Sequence, residues 1–176
     1  LFIGGGYRFG HYPESYSSQL LLNDGTGHFQ LITVTAANVN DAIFVDLNAD
    51  GQQELLAVGE WTSLQVYSYQ DGKMEDQTTR FLPEELKGMW NSLIAADFDG
   101  DGDIDVAAGN LGTNSQLSAT NAEPLELYAA DFDKNGSVDP LLFYYIDGQS
   151  WPFASRDDLI NQLPALKRKF LFFKDY

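Results

Sequence analysis

Apolar and polar positions along the chain repeat one arrangement: an apolar run, an acidic stretch rich in Asn and Gly, and a second apolar run. Residues 42–59, 93–109 and 127–143 align without gaps in this arrangement. Repetition of this kind indicates an array of similar supersecondary units. The runs are short, β-branched or aromatic, and bounded by Gly, Asn and Asp, which predicts strands of antiparallel sheets.

Further strands are predicted outside the three repeats and at the end of the third. Two-residue turn signals lie between strand-like runs at Asp24-Gly25, Asp71-Gly72 and Asp147-Gly148, and they predict hairpin turns with positive φ. Strands should therefore dominate from the first residue to about residue 153. The additional predicted strands are 19–23, 28–33, 64–69 and 141–146.

After residue 153 the apolar spacing changes from that of a strand to that of a helix. Ser155 and Asp158 form a capping-box-like start, and Pro164 should kink the helix or divide it in two because it lacks an N–H. We therefore predict a β-repeat segment over 1–153 and a helical segment over 154–176 that packs on the same domain. The apolar positions at helical spacing are Leu159, Leu163, Leu166 and Phe170.

Each repeat carries one acidic loop between its two strands, with the pattern D-x-[DN]-x-[DN]-G-x-x-[DE]. We number these segments loop 1 (residues 46–54), loop 2 (97–105) and loop 3 (131–139). Positions 1, 3, 5 and 9 carry side-chain oxygens, Gly at position 6 permits a sharp turn, and position 7 would contribute a backbone carbonyl. The residues at positions 1, 3, 5, 7 and 9 are Asp46, Asn48, Asp50, Gln52 and Glu54 in loop 1, Asp97, Asp99, Asp101, Asp103 and Asp105 in loop 2, and Asp131, Asp133, Asn135, Ser137 and Asp139 in loop 3.

Hard oxygen ligands predict Ca²⁺ at these loops, up to three ions in all, and the absence of His and Cys there excludes zinc and copper. Crowded carboxylates destabilise a fold unless a cation compensates them, so the metal should be structural. A single loop of this kind is equally well explained as an ordinary Asp/Asn/Gly turn. Three loops in register with flanking strands favour metal binding.

Two comparisons refine the prediction of calcium loops. An EF-hand would place a bidentate acid at position 12, where this chain has Ala57, Ala108 and Leu142, so an EF-hand is excluded. Loop 1 departs most from the shared pattern, with Gln53 at position 8 and Glu54 at position 9. Loop 1 is therefore the weakest of the three candidates.

Charge and composition exclude several classes of partner. The net charge is −16, from 26 acidic and 10 basic side chains, so nucleic acids and anionic membranes would be repelled. No apolar run approaches the ~20 residues that span a bilayer, so membrane insertion is not expected. The chain has no cysteine, which excludes disulfides and thiolate metal sites.

Residues outside the loops leave a second function class open. Six aromatic side chains could form a sugar-stacking platform, although core packing explains each of them as well. Glu60 with Glu123, or Asp157 with Asp158, could serve as acid and base of a calcium-assisted enzyme acting on polysaccharides, although helix capping explains the second pair too. No Ser or Cys nucleophile accompanies His11 or His28 in a recognisable pattern. The six aromatic residues are Tyr7, Trp61, Trp90, Tyr144, Tyr145 and Trp151.

The acidic loops between short strands resemble the FG-GAP and VCBS-type repeats of integrin-α-like β-propellers. Motifs outside the loops resemble the bacterial branch of cartilage-acidic-protein-like proteins, so the resemblance covers nearly the whole chain. These motifs are LFIGGG at 1–6, SQLLLNDG at 18–25, VGEW at 58–61, WNSL at 90–93, AGNLG at 108–112 and RDDL at 156–159.

The resemblance implies a seven-bladed propeller with calcium in inter-strand loops, and a role in cell adhesion or in binding glycans or proteins. It implies an extracellular, cell-surface or periplasmic location, with the full-length protein secreted or attached as a lipoprotein. It does not point to a known enzymatic reaction. This mostly β chain would supply three to four antiparallel blades, a partial propeller whose exposed blade faces would permit self-association. Residues 1–6 are typical of a strand already under way, so we expect a segment of a longer protein.

Overall fold

The computed structural model describes residues 1–82, 84–112, 115, 117–172, 174 and 176. Over these residues the chain forms short antiparallel strands with little helix, as the apolar pattern predicts. The strands are β1 (Phe2–Ile3), β2 (Ser18–Asn23), β3 (Phe29–Val34), β4 (Val39–Val45), β5 (Glu54–Ser63), β6 (Gln65–Gln70), β7 (Lys73–Asp76), β8 (Lys87–Ala96), β9 (Asp105–Asn110), β10 (Glu126–Ala130), β11 (Asp139–Ile146) and β12 (Gln149–Pro152), and the helices are α1 (Thr78–Phe81), α2 (Arg156–Gln162) and a 3-10 helix (Pro164–Arg168).

The chain divides into two compact units. The first comprises Leu1–Tyr7 and Glu14–Leu111 and contains β1 to β9 and α1. The second comprises Arg8–Pro13 and Gly112–Tyr176 and contains β10 to β12, α2 and the 3-10 helix. The predicted boundary after residue 153 stays a prediction. Helix α2 lies in the same unit as the last three strands.

Two sheets make up the first unit. Strands β1, β2 and β3 form one sheet, and β4 to β7 follow one another as a four-stranded antiparallel meander in the other. The second half of β5 leaves the meander and pairs with β8, which in turn pairs with β9. A four-stranded meander is the form of a propeller blade, and closure of such blades into a propeller stays a prediction.

The centre of the first unit is the beginning of β5, which is buried on both faces. Leu55 and Ala57 pack in one apolar cluster with Tyr67. Leu56 and Val58 pack on the opposite face in a second cluster. A strand covered on both sides must be apolar at every position rather than at alternate ones, which explains the unbroken run after Glu54.

Two of the three predicted hairpin turns have the expected geometry. Asp71-Gly72 has φ values of 48° and 84°, and Asp147-Gly148 has 51° and 77°. Strand pairing closes directly around each dipeptide, between Gln70 and Lys73 and between Ile146 and Gln149. Both are two-residue turns with positive φ at both positions, which suits the right-handed twist of the strands.

The prediction of a two-residue turn at Asp24-Gly25 is wrong. Asn23 pairs with Phe29, so five residues connect β2 and β3. The Asp24 carboxylate accepts hydrogen bonds from the backbone N–H groups of Thr26 and His28, which holds the longer loop. The Thr26 hydroxyl also donates to this carboxylate, and this bond is the largest cause of a pKa of Asp24 below its usual value.

The helical end of the chain follows its sequence signals. The Ser155 hydroxyl accepts a hydrogen bond from the Asp158 N–H, as expected at a helix start. Helix α2 ends before Pro164, where the 3-10 helix begins, so the predicted division at this proline is confirmed. Among the described residues of this region, Leu159 and Leu163 are buried. No helix in the described part of the chain is long and apolar enough to cross a membrane.

Candidate metal sites

Each acidic loop is the tip of a β-hairpin. Loop 1 joins β4 to β5, loop 2 joins β8 to β9, and loop 3 joins β10 to β11. In all three the last paired residue before the loop faces position 9, as Val45↔Glu54, Ala96↔Asp105 and Ala130↔Asp139. Position 1 directly follows the first strand of each hairpin, so it lies close to position 9, the first residue of the second strand.

The three loops share one pattern of hydrogen bonds from the backbone to side-chain oxygens. The carboxylate at position 1 accepts from the Gly N–H at position 6, and the carboxylate at position 9 accepts from the N–H at position 2. The first bond is Gly51 to Asp46 at 2.8 Å, Gly102 to Asp97 at 3.1 Å and Gly136 to Asp131 at 2.9 Å. The second is Leu47 to Glu54, Phe98 to Asp105 and Phe132 to Asp139, each at 3.0 Å.

In each loop the side chain at position 5 forms a hydrogen bond with the backbone at position 7. Its side-chain oxygen accepts the N–H of position 7, from Gln52 to Asp50 at 2.8 Å, from Asp103 to Asp101 at 3.1 Å and from Ser137 to Asn135 at 2.8 Å. The residues at position 7 are exposed, and a backbone carbonyl from them stays the predicted contribution to metal binding.

Loops 2 and 3 each bring three carboxylates together. One oxygen each from Asp97, Asp99 and Asp105 lies within 4.8 Å of the others, and a second group consists of Asp131, Asp133 and Asp139. Because Ca²⁺ binds oxygens at 2.3–2.6 Å, oxygens on opposite sides of the ion lie about 4.6–5.2 Å apart. The spacing of these oxygens therefore fits one shared cation in each loop.

Loop 1 differs from the other two in charge. Asn48 takes the place of the position 3 aspartate, so its position 1, 3 and 9 side chains supply two carboxylates and one amide oxygen. Its position 9 residue, Glu54, is only 3% exposed. The described structure thus gives two groups of three carboxylates, and a third metal ion at loop 1 stays a prediction.

The pKa values of two neighbouring carboxyls in loop 2 are shifted in opposite directions. The backbone N–H of Asp103 is the first cause of a pKa of Asp101 below its usual value. The pKa of Asp103 is raised, first by its side-chain hydrogen bond with Asp101 and then by the charge of that neighbour. A bound divalent cation would remove this conflict, because an opposite charge favours the ionised form of each carboxylate.

Sequence reasoning missed a second backbone requirement of these loops. It predicted a left-handed residue at position 6, where φ is 86° at Gly51, 98° at Gly102 and 91° at Gly136. Position 4 is left-handed as well, with φ of 56° at Ala49, 80° at Gly100 and 61° at Lys134. Only Gly100 carries a sequence signal for this conformation, because Ala and Lys normally avoid it at a cost of roughly 1–2 kcal/mol.

The predicted catalytic acids have local contacts of their own. Asp157 accepts a hydrogen bond from the Arg156 guanidinium at 2.6 Å, and Asp158 belongs to the start of α2. Glu60 accepts a hydrogen bond of 2.8 Å from the Tyr7 hydroxyl in the first unit, while Glu123 belongs to the second unit. An enzymatic reaction stays a prediction.

The six aromatic residues do not share one surface. Tyr144 and Tyr145 are successive on β11, so their side chains point to opposite faces of the sheet. Trp90 packs against the second apolar cluster, and its indole N–H donates to the Leu86 carbonyl. These contacts suit core packing better than a single sugar platform.

Residues 46–108 match the family model of the FG-GAP-like repeat. The match begins at Asp46, the first residue of loop 1, and continues through loop 2 into β9, over a little more than a third of the chain. This confirms the resemblance to FG-GAP repeats over these residues. Neither a curated protein nor a solved structure matches the chain significantly.

Proposed function

We propose that this chain, which contains an FG-GAP-like repeat over residues 46–108, is a calcium-stabilised recognition module for a glycan or protein partner. The observation that carries the proposal is the common hydrogen-bond pattern of the three loops, together with the grouped carboxylates of loops 2 and 3. An array of ordinary turns needs no such repeated placement of acidic oxygens.

The calcium has a structural role in this proposal. The ligand at position 1 directly follows the first strand of a hairpin and the ligand at position 9 begins the second strand, so one ion holds the two strands together at their loop end. At loop 3 the position 9 carboxylate, on Asp139, is only 5% exposed. Burying a carboxylate is costly unless it is paired with a cation or coordinates a metal, so the ion stabilises the folded state.

We propose an extracellular, cell-surface or periplasmic location for the same module. Most of the loop ligands are exposed to solvent, and calcium modules that work outside cells bind with Kd values of about 10⁻⁴–10⁻³ M. Such sites fill only where calcium is abundant. The resemblance to secreted propeller proteins supports this location. We also propose that the chain forms a partial propeller.

The test is thermal unfolding after EGTA treatment and again in millimolar Ca²⁺, with Mg²⁺ at the same concentration as the ion control. A ligand that binds only the folded state stabilises it by RT ln(1 + [L]/Kd), or ~2.7 kcal/mol at a hundredfold excess. We expect a rise in Tm with Ca²⁺ and a much smaller one with Mg²⁺, which prefers small octahedral sites.

Single substitutions test which residues carry the calcium-dependent rise in Tm. Asp131→Ala should reduce the calcium-dependent rise in Tm, whereas Glu75→Ala, an exposed acid on β7 outside the loops, should leave it unchanged. Equal Tm values in EGTA and Ca²⁺ would reduce the loops to ordinary turns and refute the proposal.

A further inference from the structure

A cleft of about 310 Å³ opens beside loop 1 in the first unit. Part of its wall comes from the end of loop 1 and the start of β5, part from the end of β6, and one side chain from α1. We propose that it binds an anionic sugar, with the sugar carboxylate on Arg80 and the sugar hydroxyls on Gln53 and Gln70. The lining residues are Asp50, Gln52, Gln53, Glu54, Ser68, Tyr69, Gln70 and Arg80.

Arg80 supplies the charge that the cleft needs for an anion. Its side chain is exposed, and it forms no ion pair with any residue that the structure describes. Its guanidinium lies 5.4 Å from the centre of the Phe81 ring, which leaves its N–H donors available. A planar guanidinium binds a carboxylate through two parallel hydrogen bonds. An unpaired arginine is notable in a chain with 26 acidic and 10 basic side chains.

The remaining wall of the cleft suits a polyhydroxylated ligand. The side chains of Gln53 and Gln70 are exposed and form no hydrogen bond to a described residue, so their donors and acceptors are available to hydroxyl groups. The volume lies at the lower end of the ~300–1,000 Å³ of ligand pockets, which fits a small sugar.

Loop 1 couples this cleft to calcium. Asp50 and Glu54 belong both to the predicted metal ligands and to the cleft wall. Without a cation their carboxylates repel an anionic sugar, and a bound Ca²⁺ cancels that repulsion. Calcium should therefore raise the affinity for the sugar, and the sugar should raise the affinity for calcium by the same factor. This inference rests on the proposed function, because it assigns the glycan of that module to one cleft.

The experiment is a calorimetric titration with D-glucuronate, and with D-glucose as the uncharged control, in Ca²⁺ and in EGTA. We expect glucuronate to bind in Ca²⁺ more tightly than glucose and to bind more weakly in EGTA. Arg80→Gln should reduce glucuronate affinity at least tenfold, and Gln70→Ala should weaken both sugars. Arg168→Gln, which removes an exposed arginine from the 3-10 helix, is the matched control and should change nothing.

Three outcomes would overturn the assignment: no glucuronate binding in Ca²⁺, equal binding of both sugars, or glucuronate binding that survives Arg80→Gln. Thermal unfolding of the same samples separates this failure from that of the proposed function. A calcium-dependent rise in Tm without sugar binding would refute the cleft and leave the calcium module standing.

Discussion

The aspartate at position 1 of each loop has two tasks. One of its oxygens accepts the N–H of the Gly at position 6, as from Gly102 to Asp97, and this bond holds the backbone turn closed. The carboxylate also belongs to the group that would share a cation with Asp99 and Asp105. Removing it should therefore damage the loop and the metal site together. The side chain at position 7 has neither task, because only its backbone is expected to contribute.

A pair of substitutions in loop 2 tests this division of roles. Asp97→Ala should abolish one equivalent of bound calcium, whereas Asp103→Ala should keep the stoichiometry, because Asp103 lies outside the group of three carboxylates. Calcium titration by calorimetry gives both numbers. Loss of one equivalent in both variants would show that the Asp103 side chain is itself a ligand.

At the scale of elements, the close approach of β4 and β5 depends on one glycine. A Cβ added to Gly59 would lie 1.7 Å from the Asn38 carbonyl oxygen, which is part of the backbone and has little freedom to move. The same constraint holds at Gly5, where a Cβ would lie 1.8 Å from the Tyr16 carbonyl oxygen. A side chain at Gly59 or Gly5 would therefore force two backbone segments apart.

Gly59→Ala should therefore destabilise the first unit by about 1–3 kcal/mol, the range found when a well-packed interior is overfilled. Gly6→Ala is the matched control, since a Cβ there meets nothing within 4 Å, and it should stay within about 0.5 kcal/mol of the unsubstituted protein. Urea unfolding measures both changes. Equal stabilities of the two variants would mean that β4 and β5 can separate without cost.

At the scale of the whole molecule, the net charge of −16 lowers the stability of the folded state. Compact structures with a large excess of one charge repel themselves, and salt screens that repulsion. Calcium would relieve the part of it that is concentrated in the loops. The calcium-free protein should accordingly depend more strongly on ionic strength than the calcium-bound protein.

Melting curves at low and at moderate NaCl test this expectation. In EGTA, Tm should rise as NaCl is increased, and in saturating Ca²⁺ the rise should be clearly smaller. Sucrose, which stabilises folded proteins without screening charge, is the control and should raise Tm similarly in both states. An equal response to NaCl with and without calcium would show that the loop carboxylates carry no significant repulsion.

The sequence by itself determined the features that depend on neighbours along the chain. Four features follow from local chemistry, because the groups involved lie close together along the chain. They are the strand runs, the spacing of the oxygens within the nine-residue loops, the turns at Asp71-Gly72 and Asp147-Gly148, and the division at Pro164. The loop between β2 and β3 marks the limit of such signals, since Asp24-Gly25 carries the same dipeptide in a longer connection.

Only the tertiary structure decided which distant segments meet. The second half of β5 pairs with β8, and the beginning of β5 is buried on both faces. Both features depend on apolar contacts between strands that are far apart in the sequence. The left-handed backbone at Ala49 and Lys134 is imposed by the hydrogen bonds of the closed loop against the local preference of those residues. The cleft that places Arg80 near Gln53 has the same origin, because burial and sheet pairing, which act across the chain, bring separate segments together.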